Sequence, residues 1–149
     1  MKDDSSDVTD DIARELRFTL TLAIRHPSID PEEISRLLAR VPYQSWLAGA
    51  PRRTPTGRAM PSVARESYWV WISEVGAQRN FFAVLIEELD RLLPYADFLG
   101  RVAATGGRIA LGVSLPGDVN IGARLPHDAV RRLAALPIDL DIEVFPDMP

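Results

Sequence analysis

The chain has 149 residues, a net charge of −4 at pH 7 and no cysteine. Without cysteine it has no disulfide, no thiol nucleophile and no thiolate metal site. The net negative charge argues against nucleic-acid binding as the main role, because phosphate binding relies on clustered positive charge.

The N-terminus and the hydropathy favour a cytoplasmic protein. The first residues, MKDDSSDVTDD, are acidic and lack the apolar segment of a secretory signal. No apolar run approaches the roughly 20 residues that a membrane helix needs, so we expect no membrane contact. Residues 1–14 should form an acidic flexible tail, and residues 15–149 a single domain.

The first predicted strand is LRFTLTLAI, residues 16–24. Large apolar side chains occupy every second position, which is typical of a strand with one buried face. The next segment, SIDPEEISRLLARV, predicts a helix, since Asp30 is a good N-cap and Pro31 fits the first helical position. Its predicted inner stripe is Ile34, Leu37, Leu38 and Val41.

Residues 43–65 predict a long loop, because they show no periodicity and contain three prolines and two glycines. Long loops inside compact domains are usually functional or disordered. The segment ESYWVWISE then predicts a strand, and we expect Trp69 and Trp71 on its outward face. The face predicted to point inward carries Tyr68, Val70 and Ile72.

The C-terminal half predicts helices, a hairpin and a last strand. NFFAVLIEELDRLLP and YADFLGRVAATGG read as helices. RIALGVSL and VNIGARL, residues 108–115 and 119–125, predict an antiparallel hairpin around the turn Pro116-Gly117-Asp118. PHDAVRRLAAL predicts a short helix, and DLDIEVF a strand. That strand should point Asp139, Asp141 and Glu143 outward.

The element order is therefore β-α-β-α-(α)-β-β-α-β. From the second strand onward it matches βαββαβ, the ferredoxin-like split pattern, with an extra N-terminal βα unit. Strands that alternate this cleanly have helices on one face only. We predict an α+β fold with the helices on one face of a mostly antiparallel sheet.

Several of these segments together resemble the bacterial domain of unknown function 4279. In the N-terminal half they are FTLTLAI, DPEEISRLL, WLAGAPRR (Trp46, Gly49, Pro51, Arg52), the pair Gly57-Arg58 and YWVW. In the C-terminal half they are GGRIALGVSL, IGARLPHDAVRRLAAL and DLDIEVF. The resemblance runs from about Phe18 to Phe145, and DPEEISRLL with WLAGAPRR is its most specific part. It implies the family's fold and no established activity.

Tryptophans and arginines supply the candidate ligand site. In one interpretation the 43–65 loop covers the open face of the sheet and packs Trp46 near Trp69 or Trp71. In the other, a ligand or peptide sits between loop and sheet, and the loop arginines hold its carboxylate or phosphate. Those arginines would otherwise be solvated or pair with the acidic last strand. The candidate ligand-binding residues are Trp46, Arg52, Arg53, Arg58, Trp69 and Trp71.

No pattern in the sequence predicts a catalytic residue, a metal site or a cofactor. His26 and His127 lie far apart and have no partner at metal-ligand spacing, so a surface or capping role is expected for both. A ladder formed by Asp139, Asp141 and Glu143 could hold a divalent cation or pair with Arg17, Arg108 or Arg124. Neither a nucleophile elbow nor a phosphate loop is present.

We therefore expect a non-enzymatic binding or interaction protein that uses the Trp/Arg loop and the open sheet face. Its partner would be an unknown protein or a small anionic ligand, and a homodimer that pairs free sheet edges or buries the open face is a further hypothesis. One alternative is a small enzyme or anionic-ligand-binding protein with a site between the 43–65 loop and the sheet. An enzyme would need Arg52, Asp139 and Asp141 to converge. The third functional hypothesis is an RNA-binding sheet, and the negative charge of the last strand argues against it.

Overall fold

The computed structural model describes residues 18–75, 81–117 and 123–145, so the predicted acidic tail at 1–14 lies outside them. The strands are β1 (Phe18–His26), β2 (Gln44–Trp46), β3 (Pro51–Arg53), β4 (Ala59–Val63), β5 (Ser67–Val75), β6 (Arg108–Pro116) and β7 (Asp139–Phe145). The α-helices are α1 (Pro31–Leu38), α2 (Phe81–Leu92), α3 (Ala96–Ala104) and α4 (His127–Ala134), and a 3₁₀ turn spans Leu93–Tyr95. This is an α+β fold.

A five-stranded sheet organises the domain, with the strand order β2-β5-β1-β6-β7. The first three pairings in that order are antiparallel, and β6 and β7 are parallel. The sheet is therefore mixed. A second, two-stranded sheet consists of β3 and β4. The region predicted as one long loop, residues 43–65, thus contains an edge strand of the main sheet and a small hairpin.

The predicted hairpin of β6 with residues 119–125 is wrong. Residues 118–122 lie outside the described part of the chain, and residues 123–126 are not in a strand. Both edges of β6 are already used, one by β1 and the other by β7. A strand has only two edges for backbone hydrogen bonds. The ferredoxin-like βαββαβ pattern is not confirmed, since β7 follows β6 in parallel after α4.

The helices pack on one face of the sheet, where the core lies. Along β1, every second residue from Phe18 to His26 is buried, and the residues between them are half-buried. The predicted start of α1 is confirmed, because the Asp30 carboxylate accepts a hydrogen bond from the Glu32 N–H at 2.9 Å. The helix ends earlier than predicted, at a left-handed Ala39, and Val41 is 85% exposed. Val41 therefore does not join the core stripe.

The face of β5 that points toward the core is the opposite of the predicted one. Trp71 pairs with Leu22 and Trp69 with Ile24, so both tryptophans share the face of the buried β1 residues. Trp69 is fully buried, and its indole N–H donates to the Ser35 hydroxyl of α1 at 2.9 Å. Apolar residues occupy both faces of this strand, so its own alternation does not determine which face is inward.

Ion pairs join the helices to one another. The buried Glu88 of α2 pairs with Arg40, whose guanidinium carbon lies 4.4 Å from the centre of the Trp71 ring. On α4, Arg132 binds Asp90 of α2, and this hydrogen bond raises the pKa of Arg132 above its ordinary value. The first pair fixes the end of α1 against α2, and the second fixes α4 against α2.

Candidate functional site

A groove lies between the main sheet and the hairpin formed by residues 49–64, which we call the arm. The groove has a volume of about 890 Å³. Its lining comes from β2, from β3 and β4 of the arm, from Arg25 and from residues 64–66. Four arginines line it: Arg25, Arg52, Arg53 and Arg65. We refer to this cavity as the arm groove.

Backbone hydrogen bonds and two glycines shape the arm. At its base, Gly49 N–H donates to Ala64 C=O, and Ala64 N–H donates to Ala50 C=O. At its tip, Gly57 N–H donates to Thr54 C=O, and the positive φ of 85° at Gly57 suits glycine. Every residue of β3 and β4 is exposed. The arm therefore stands away from the core and presents its side chains to solvent and to the groove.

Two tilted aromatic rings and a guanidinium lie in contact on the sheet side of the groove. Trp46 pairs with Tyr68 across β2 and β5, and their ring centroids are 4.5 Å apart. Arg25 pairs with Tyr68 from β1, and its guanidinium carbon lies 4.4 Å from the Tyr68 ring centre. Such cation–π contact favours a fixed guanidinium position. Trp46, Tyr68 and Arg25 form a continuous row of contacts on the open face.

A single carboxylate accompanies these cations. Glu66 binds Arg25 at 3.2 Å and Arg108 at 3.2 Å. It is the acidic residue among those that line the groove in the described part of the chain. The single negative charge of Glu66 thus neutralises only part of the positive charge of the two arginines. The Glu66 carboxylate also holds Arg25 over Tyr68.

The arm groove carries excess positive charge. Residues 43–65 contain four arginines and no aspartate or glutamate, although the chain as a whole is acidic. Arg53 donates to the Gly57 carbonyl at 3.0 Å. Among the described residues, no ion pair or hydrogen bond engages the side chain of Arg52 or Arg65. Exposed guanidinium groups without a carboxylate are free to bind an anion from solvent.

The structure brings together half of the predicted site residues. Trp46, Arg52 and Arg53 line the arm groove. Arg58 lies on the arm near its tip but outside the groove lining. Trp69 and Trp71 lie on the helix-covered face, so the sheet separates them from Trp46. Trp46 packs on Tyr68 instead, and the predicted contact with Trp69 or Trp71 is wrong. A ligand role for the groove residues stays a prediction.

Sequence reasoning missed four residues of this site: Arg25, Arg65, Glu66 and Tyr68. Arg25 directly follows the predicted first strand, and its contact with Tyr68 joins residues 43 positions apart. Tyr68 was placed on the inward face because β5 alternates apolar residues on both sides. Arg65 and Glu66 are charged residues directly before β5, so the sequence places them next to this strand. Only the tertiary structure shows that Glu66 binds Arg25 and that Arg65 lines the same groove.

The remaining candidate residues do not join the groove. His26 is buried, accepts hydrogen bonds from the Ser28 and Ile29 N–H groups through Nδ1, and donates from Nε2 to the Thr105 hydroxyl. His26 thus has a structural role in the turn before α1, whose N-cap is Asp30, and it does not lie at the surface. Asp139, Asp141 and Glu143 lie on β7, at the opposite edge of the sheet from β2. Within residues 18–75, 81–117 and 123–145, no cluster of side chains with metal-ligand composition is present.

Comparison with known proteins yields one match. A family model described as Domain of unknown function (DUF4279) matches residues 15–145, which include the arm and every strand of the main sheet. No curated protein and no solved structure matches the chain. In the described ranges, no helix is long and apolar enough to cross a membrane.

Proposed function

Because the chain belongs to the DUF4279 family, whose description assigns no activity, we propose a function from the arm groove: the protein binds an anionic group there and carries out no covalent chemistry. One observation carries this proposal. Arg25, Arg52, Arg53 and Arg65 line a single groove of about 890 Å³. Pockets of roughly 300–1,000 Å³ are the usual size for small ligands.

The charge distribution supports an anionic partner. The chain has a net charge of −4, so the positive charge of residues 43–65 is local rather than a property of the whole surface. Arginine presents a planar fork that matches carboxylate and phosphate oxygens, and it keeps its charge at any physiological pH. Arg52 and Arg65 have no carboxylate partner in the described part of the chain. An incoming anion therefore displaces water from them rather than an existing ion pair.

The arrangement supports binding better than catalysis. The enzyme hypothesis needed Arg52 near Asp139 and Asp141, but Arg52 lines the arm groove together with β2, and β2 and β7 are four strand positions apart. At about 4.8 Å per strand, that separation is about 19 Å. Glu66, the carboxylate in the groove lining, already binds two arginines. No described pair of titratable groups in the groove is placed to act as acid and base.

Calorimetric titration with inorganic pyrophosphate at low salt tests the proposal. We expect binding to the wild type and a loss of at least about tenfold in the double variant Arg52→Ala/Arg65→Ala, because each charge-assisted contact contributes about 1.5–3 kcal/mol. Affinity should also fall as salt rises, since the groove cations are exposed to screening.

The matched control is Arg58→Ala. Arg58 carries the same charge on the same arm but does not line the groove. We expect its substitution to change the affinity less than about threefold. Equal losses in the control and in the double variant would refute a defined groove site. No pyrophosphate binding by the wild type would refute the proposed function.

A further inference from the structure

The geometry points to a ligand that carries a flat aromatic ring together with phosphates, namely a nucleotide, with the ring on Trp46 and the phosphates on Arg52 and Arg65. This inference rests on the proposed function of the arm groove and names the ligand class. The shared chemistry, a nucleobase next to phosphate, also occurs in single-stranded nucleic acid. The experiments below separate the two sources.

Trp46 is presented as a stacking surface. One side of its ring packs on Tyr68 at 4.5 Å, and Tyr68 is held from its far side by Arg25. Trp46 is half-buried and lines the groove, and no second ring or guanidinium contacts it among the described residues. An indole with one supported face and one face toward a cavity is suited to a planar ring, because stacking buries apolar area on both partners.

A polar side chain lies beside the position that a base would take. Gln44 lies two residues before Trp46 in β2, on the same face, and it lines the groove with Ser45. An amide side chain can donate to and accept from the edge of a base, as proteins do when they bind unpaired bases. A ligand with carboxylates alone would use the arginines but not the indole face.

The arginines are placed to meet the phosphates. Arg52 and Arg53 come from β3, and Arg65 lies between β4 and β5, so these cations line the same groove as Trp46. Ring and anion sites are thus in one cavity. The acidic β7 and the net charge of −4 oppose a long nucleic-acid path across the sheet. These features favour a free nucleotide.

The test compares ADP with inorganic pyrophosphate and adenosine by calorimetric titration. We expect ADP to bind at least tenfold more tightly than pyrophosphate, and adenosine to bind more weakly than ADP. In Trp46→Leu the affinity for ADP should fall to that for pyrophosphate, while the affinity for pyrophosphate stays unchanged. That unchanged affinity also shows that the variant is folded. Trp46→Phe should retain part of the preference for ADP.

Trp69→Phe is the matched control, because it changes an indole in the core and not in the groove; it should leave the ratio of ADP to pyrophosphate affinity unchanged.

A single-stranded RNA hexanucleotide forms the second arm of the test. Tighter binding of the hexanucleotide than of ADP, lost in Trp46→Leu, would support the ring-and-phosphate site and assign it to nucleic acid. Equal affinity for ADP and pyrophosphate would overturn the inference and leave the proposed function standing. Absence of binding by all four ligands would overturn both.

Discussion

At the scale of single residues, the tryptophans divide into a structural group and a surface group. Trp69 is fully buried and donates a hydrogen bond to Ser35, and Trp71 lies beneath the Arg40 guanidinium. Trp46, on the other face, packs on Tyr68 and lines the groove. Trp69 thus fills the core and Trp71 packs against it, whereas Trp46 forms part of a surface, because it lies on the opposite face of the sheet.

We expect Trp69→Phe to lower the free energy of unfolding by about 2–3 kcal/mol, since the smaller ring leaves a cavity and the Ser35 hydroxyl loses its donor. Ser35→Ala should cost about 1–3 kcal/mol, because it leaves the buried indole N–H without an acceptor. Urea unfolding followed by circular dichroism measures both. Trp46→Phe, at the sheet edge, serves as the comparison and should cost less than either; a larger loss there would contradict this assignment of roles.

At the scale of elements, the turn between α3 and β6 depends on close backbone approach. Gly106 has a φ of 95°, a conformation that favours glycine. A Cβ on Gly107 would lie 2.5 Å from Val102 Cγ1 and 2.6 Å from the Val102 carbonyl oxygen. His26 from β1 also contacts this turn through Thr105. The end of α3 is therefore fixed against β1 and β6 with no space for a side chain at residue 107.

Gly107→Ala should lower the free energy of unfolding by about 1–3 kcal/mol, because the added methyl group overlaps the Val102 carbonyl, which has no room to move. Gly100→Ala is the matched control, since Gly100 lies within α3 and a Cβ there meets no atom within 4 Å. The control should raise stability by about 0.5–1 kcal/mol through helix propensity. Thermal unfolding measures whether Gly107→Ala loses stability and Gly100→Ala gains it. A stability change of the same sign in both variants would contradict the steric account.

The contact of α1 with α2 depends on a buried ion pair. Glu88 is fully buried, and Arg40 and the exposed Arg91 are its cationic partners among the described residues. We expect Arg40→Met to cost about 3–5 kcal/mol, since it leaves the carboxylate largely uncompensated in the core. The double variant Arg40→Met/Glu88→Leu should recover most of that loss. A double-mutant cycle in urea measures the coupling, and strictly additive effects would show that the pair does not act as a unit.

At the scale of the whole molecule, charge is separated across the sheet. The arginine-rich arm adjoins β2 at one edge, and β7 at the other edge carries Asp139, Asp141 and Glu143. In the described residues β6 is the single strand that pairs with β7. Ile142 and Val144 of β7 are 49% and 60% exposed. This apolar, acidic edge is where we place the predicted homodimer, which stays a prediction.

Antiparallel pairing of two β7 strands would bring acidic residues of one copy opposite those of the other, which disfavours the dimer at low salt. We expect association to increase with salt, and to increase further in Asp139→Asn/Asp141→Asn/Glu143→Gln. Sedimentation velocity at several salt concentrations measures this. Pyrophosphate binding in the arm groove should show the opposite salt dependence. A monomer under all of these conditions, in both wild type and variant, would contradict a dimer through β7.

The sequence by itself determined the elements whose signals are local. The alternation of β1 and β6 and the Asp30 cap of α1 were readable because each depends on neighbours within a few residues. The motifs also sufficed to recognise the family. The same reasoning did not predict the strands within residues 43–65, since β2 and the arm are short and exposed and carry no periodic apolar pattern.

Only the tertiary structure decided which face of β5 is inward and which residues form the arm groove. β5 is apolar on both faces, so its orientation follows from pairing with β1, which places Trp69 beside Ile24 and Tyr68 beside Arg25. The groove joins Arg25, Trp46 and Glu66, and the Arg25–Glu66 ion pair spans 41 residues. Contacts of that separation depend on sheet register. Register is set by the packing of the whole sheet against its helices and not by the residues of either strand alone.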